Sequence, residues 1–238
     1  GRDALLAADV ALTGGVNQIG PLGGFAVTGS DFTLADAHAL EVTGAVSAGN
    51  VTLSDSAGGT ALTVSGSVAG SNTVGLTATS GGLALNGVVS AATLDLNAAA
   101  GITQGGGSLG AGVLMSSTGV TGDVALTSSG NQIAALGAFT VTGGNLSLTD
   151  AGALAITSAG ATPAQVAAEN FTLVMVGAGA SGDVAISGAV VVPGTLSITT
   201  NGTIQRSGGA FVIGTLTGSA VTLADFGTGA NVTTLGQF

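Results

Sequence analysis

The chain has 238 residues, twelve carboxylates, two arginines (Arg2 and Arg206), no lysine and one histidine, giving a net charge of −10 at pH 7. That balance excludes nucleic-acid binding, because counterion release from phosphates needs clustered Lys and Arg. The absence of cysteine removes disulfide stapling and thiol chemistry, while 45% hydrophobic residues allow a buried core and argue against a disordered acidic tail.

The N-terminus, Gly1-Arg-Asp-Ala-Leu-Leu, lacks the charged segment, apolar stretch and cleavage site of a signal peptide, as expected for a piece of a longer chain. No run of about 18 apolar residues follows, so no membrane-spanning helix is predicted. Short segments of period two then recur every 8 to 12 residues, among them Phe32-Thr-Leu34, Leu40-Glu-Val42, Val51-Thr-Leu53, Leu62-Thr-Val64, Leu83-Ala-Leu85 and Leu94-Asp-Leu96. This alternation predicts strands whose apolar residues face one side. The Gly, Asn, Asp and Ser residues between them suit turns.

Residues 9–43 return as residues 123–157 with twenty of thirty-five positions identical and no gap. Asp9-Val-Ala-Leu returns as Asp123-Val-Ala-Leu, Asn17-Gln-Ile as Asn131-Gln-Ile, Leu22-Gly-x-Phe25 as Leu136-Gly-x-Phe139, and Asp36-Ala-x-Ala-Leu as Asp150-Ala-x-Ala-Leu. Weaker echoes follow at Asp183-Val-Ala-Ile and at Asn231 with Leu235-Gly-x-Phe238. The separations of 114, 60 and about 100 residues lie near multiples of roughly 19 to 20, the length of one solenoid unit. An antiparallel sandwich or barrel would suit the strand spacing equally well, but it gives no reason for the same words to restart. The expected fold is therefore an all-β, right-handed parallel β-helix of about 19–22 residues per rung, formed by residues 1–238 as a single repeat segment. Eleven or twelve rungs at about 4.8 Å would give a rod of roughly 50 to 60 Å.

Within this frame Phe25, Phe139 and Phe238 are expected as core fillers, with Leu22, Leu136 and Leu235 beside them. Residues 161–170, Ala-Thr-Pro-Ala-Gln-Val-Ala-Ala-Glu-Asn, break the alternation. Thr162 as N-cap and Pro163 at the first helical position predict a short helix or loop bulging from the rod.

The chemistry-bearing residues are sparse. Polysaccharide-active enzymes on this fold would group acids in a groove, whereas here Asp9, Asp36, Asp123, Asp150 and Asp183 recur singly at strand boundaries, where a carboxylate accepts backbone N–H bonds. Asn17 and Asn131 are expected in turns, and His38 faces Gly152 in the second copy, so it is read as a surface turn residue. Calcium would need six to eight oxygens from closely spaced ligands, and neither a zinc site nor a nucleophile–base pair can be assembled from this inventory. No cofactor, metal or catalytic residue is predicted. Sequons begin at Asn50, Asn145, Asn170, Asn201 and Asn231 and follow from Asn turns leading into Thr-bearing strands. Thr-x-Thr triplets such as Thr77-Ala-Thr79 and Thr140-Val-Thr142 do not recur unit after unit, which leaves ice binding a minor alternative.

Asn-Gln-Ile-x-x-Leu-Gly-x-Phe-x-Val-x-Gly, Gly101-Ile-Thr-Gln104 and Leu40-x-Val-x-Gly-x-Val-x-Ala-Gly49 together resemble the repeat regions of bacterial filamentous-haemagglutinin-like adhesins. The resemblance covers nearly the whole chain. It implies a non-catalytic stalk or fibre segment, exported to the outer surface of a Gram-negative cell, with a host or surface glycan as an expected partner and no catalytic residues. A β-helical polysaccharide-active or carbohydrate-binding protein is the alternative. Because a β-helix exposes unpaired strands at its ends, further rungs or end-to-end self-association are expected.

Overall fold

A computed structural model describes residues 8–15, 17–160 and 165–238. Their strand pairings are parallel throughout and build about ten stacked coils of a β-helix. The alternation explains the wall: in Phe32–Asp36 and Leu146–Asp150 the first, third and fifth residues are buried and the two between them half-buried. Val10, Phe32, Val51, Val74, Leu94 and Leu114 stand in register on successive coils. A second column runs through Leu40, Leu62, Leu83, Ile102, Val124, Leu146, Phe171, Leu196 and Leu216. Fully burying one such side chain stabilises the chain by about 1.5–3 kcal/mol, so these columns hold coil to coil.

Each regular coil carries three strand segments and therefore three faces. Ala45–Asp55 and Val88–Ala98 each cover two of them, with a register shift at Ala48/Asn50 and at Ser90/Thr93 marking the corner. Gly81–Leu85 and Ile102–Gln104 supply the third face. At the corner leading back to the first face, Gly44, Gly66, Gly87 and Gly107 stack one above another. A Cβ on Gly66, Gly87 or Gly107 would overlap the backbone of the glycine one coil below. The approach is drawn tight by shared acceptors, since Ser65 and Gly66 both donate to the Val42 carbonyl, and Asn86 and Gly87 both donate to that of Val64.

The two copies of the long repeat do not lie on the same face. Five coils separate Val10 from Leu114 along one column, and Val124, the counterpart of Val10, belongs to the next face, in register with Ile102. A repeat of 114 residues is thus five coils plus one face. Asp183 is displaced as well, because Val184 pairs with Leu154 and Ile204 rather than with the Val124 column. The expectation that the repeats count whole coils is corrected: what recurs is a strand–turn–strand word.

The coil number also falls below the eleven or twelve expected. Coils are not uniform; Phe32 pairs with Val51, nineteen residues on, whereas Leu154 pairs with Val184, thirty residues on. About ten coils spaced by about 4.8 Å give a rod of roughly 45 Å. Part of the long coil's extra length is a 3-10 turn at Gly179–Gly182. The bulging helix or loop expected at 161–170 is corrected in its described part, for Gln165–Ala167 is a strand inserted in register between Phe139–Thr140 and Val190–Val191. Val166 and Ala168 point inward and are buried, so the period of two was present but written with alanine, which serves either side. Thr162 and Pro163 lie outside the described residues. Among the described residues no helix is long and apolar enough to cross a membrane.

Candidate functional site

Polar side chains gather at the corners of the coils, and most of them bond to the coil above or below. Asp9 accepts the Asp31 N–H at 3.1 Å, and Asp31 in turn accepts the backbone N–H and side-chain amide of Asn50. On the next face Asp123 accepts both donors of Asn145, Asn145 accepts the Asn170 amide, and Asn170 accepts the Thr195 N–H at 2.7 Å. Asp183 takes the N–H and hydroxyl of Thr203, and these bonds hold its carboxyl below the ordinary value. The acids that open Val-Ala-Leu/Ile strands therefore fill the turn role read from sequence, with the partner one coil away. The sequon asparagines Asn50, Asn145 and Asn170 have their amides engaged in these ladders.

A second group of acids points inward. Asp36, Asp55 and Asp150 are buried at strand ends. Each accepts the N–H two residues on, from His38, Ala57 and Gly152, and one from the preceding coil, from Ile19, Leu40 and Ile133. Burial wins over those bonds at Asp150, whose pKa is pushed up to about 6. Burial likewise raises the Asp55 carboxyl against bonds from Ala57 and Leu40, and Asp36, its register partner, pushes the same way. His38 itself is exposed, as expected of a surface turn.

Asn17 and Asn131 do corresponding work: Asn17 donates to Leu12 and Ala35 carbonyls, Asn131 to those of Leu126 and Thr149. Asn131 is fully buried and adds a paired amide contact with Gln104 and an N–H from Leu109. Leu136 and Phe139 are buried, whereas Leu22 and Phe25 are half-buried near one end. Phe238 is corrected as a core filler: it is 41% exposed and meets Phe226 edge-on at 5.6 Å, while Leu235 is 71% exposed. Asn231 is also exposed, because the last described coil is covered on one side only.

Sequence reasoning missed three arrangements. Arg206 follows Ile186 in its column, stacks 5.4 Å over Phe211, and donates to the carbonyls of Phe226, Thr228 and Gly209, tying down the last turn. Its buried Nε is without a partner. An outward column runs Glu41, Thr63, Ala84, Thr103, Ala125, Ser147, Thr172, Ser197 and Thr217, uncharged from Thr63 onward; hydroxyls do recur there, mixed with alanine rather than as Thr-x-Thr rows. The third is a cluster of Asp95, Asn97, Ser116 and Ser117 beneath a protruding loop.

Among the described residues no three His, Cys, Asp or Glu side chains come together to hold a metal ion. Asp36 and Asp55 stand in register on adjacent coils, Glu41 accepts the Ser65 hydroxyl at 2.7 Å, and Asp9, Asp31, Asp36, Asp55, Asp95, Asp123, Asp150, Asp183 and Asp225 each accept a main-chain N–H. No family model, no curated protein and no solved structure matches the chain. The site's chemistry therefore rests on this geometry alone.

Proposed function

We propose that the chain is a structural, non-catalytic segment of a stalk or fibre on the outer surface of a Gram-negative bacterium. One observation carries the reading: the buried acids and amides are spent on the N–H and C=O groups of neighbouring coils, so polar side chains that could do chemistry instead lock the rod. Such locking stiffens a solenoid, whose stability is a sum of nearest-neighbour terms. The adhesin resemblance of the repeat words supplies the surface location and export. The uncovered apolar side chains of the last described coil, including Val221 at 75% and Leu223 at 52% exposure, suit further coils or a second copy as partner.

Two measurements test this. Electron microscopy of the native material is expected to show straight rods with a repeat of about 4.8 Å along the axis, and antibody to the chain is expected to be lost when intact cells are treated with external protease. Turnover of a polysaccharide by the purified chain, or an epitope protected until cells are lysed, would overturn the reading.

A further inference from the structure

The protruding loop has a definite geometric origin. Asp95 pairs with Met115 and Ala98 with Val120, so the four residues Ser116 to Gly119 stand over only two, Leu96 and Asn97. The two additional residues form an overhang, and beside it lies a groove of about 290 Å³ lined by Thr77, Thr79, Asn97, Ala98, Thr118 and Thr121. Ala78 and Ala98 beneath it turn their side chains inward and are buried, in the column that holds Asp55 one coil earlier and Val120 one coil later.

The overhang is fixed in place from the coil below. Buried Asn97 accepts the Ser116 hydroxyl at 3.0 Å and the Thr118 N–H at 2.9 Å. Asp95 accepts the N–H and hydroxyl of Ser117 at 2.8 and 2.5 Å and the Asn97 amide at 2.9 Å. A rim held this way is ready for a ligand without an ordering cost.

The lining defines the ligand. The hydroxyls of Thr77, Thr118 and Thr121, each able to donate and accept, surround the groove together with the exposed Ala99 methyl, the Thr79 hydroxyl donates to the Asp55 carbonyl at 3.2 Å and keeps its acceptor side, and no charged side chain lines the groove. An anion would find no cation there on a chain of net charge −10, and a cation would find Asp95 already holding three donors. A neutral, hydroxyl-rich ring satisfies the hydroxyls and rests its C–H face on the exposed Ala99 methyl, and the volume lies at the low end of ligand sites, about 300–1,000 Å³. We propose that this groove binds a single neutral sugar unit of a glycan. The site is independent of the scaffold reading, which stands or falls separately.

Saturation-transfer NMR on the 238-residue chain tests it with methyl glucoside, methyl galactoside and cellobiose as neutral probes and glucuronate as the anionic counterpart. Transfer to at least one neutral probe is expected, weaker for glucuronate, and reduced about tenfold in affinity by Thr77→Val combined with Thr121→Val. Thr79→Arg, a change at an exposed position that fills the groove, is expected to abolish it with the far-UV circular dichroism unchanged. Absence of transfer to every neutral probe, or transfer undiminished in folded Thr79→Arg, would sink the proposal.

Discussion

Asp150 shows how a single buried carboxylate weighs on the rod. It accepts N–H bonds from Ile133 at 2.8 Å and Gly152 at 3.1 Å, yet loss of hydration dominates and its pKa rises from 3.8 to about 6. Between those values the folded chain keeps a proton that the unfolded chain has released, so stability falls as pH rises through the window and levels off above it. Asp55, also raised, adds in the same direction. The unfolding free energy from urea titrations should therefore be higher at about pH 4 than at pH 7, by an amount on the order of 2 kcal/mol for Asp150. Asp150→Asn should flatten that part of the dependence; an unchanged pH profile in this variant would show that Asp150 is ionised and unperturbed in the folded rod.

Strands and corners set the next scale. The glycine corner at Gly44, Gly66, Gly87 and Gly107 leaves no room for a methyl group, so Gly87→Ala must push two coils apart. A cost of about 1–3 kcal/mol is expected for such overpacking, read as a fall in Tm of about 2–4 °C per kcal/mol in a chain of this size. Gly75→Ala, where a Cβ meets nothing within 4 Å, should be tolerated and serves as the control.

Elements of this kind were partly legible in advance. The alternation in Phe32-Thr-Leu34 reports which side chains point inward, and Asp9 and Asp123 at strand starts report a hydrogen-bonding turn. A period of two carries no information about which of three faces a strand joins, so the displacement of Val124 from the Val10 column was invisible. Alanine at Ala167 and Ala168 blurred inside and outside and concealed a strand behind a helix-like composition. Asp95 and Asn97 gave no signal, because the loop they hold lies some twenty residues away and is brought over them only by coiling.

For the whole molecule, coil stacking makes stability uneven along the axis. Inner strands such as Leu40–Val42 and Val124–Leu126 are bonded on both sides, whereas Leu223–Asp225 and Asn231–Leu235 are paired on one side only and largely exposed. In a quasi-one-dimensional fold, opening spreads from such a place. Hydrogen exchange of the chain should thus proceed coil by coil from residues 223–235 inward, with Leu62–Val64 and Leu146–Leu148 among the last. A single cooperative exchange step for all coils would contradict this.

The offset of five coils plus one face gives the long repeat a directional meaning. Any segment gained or lost in units of 114 residues would turn everything beyond it by one face, while leaving the backbone walls continuous. Three such units would bring a given surface back to its starting direction. A rod lengthened in this way displays each surface motif in turn to every side, so a partner approaching from any direction meets every version of it, and lengthening and reorientation become the same event.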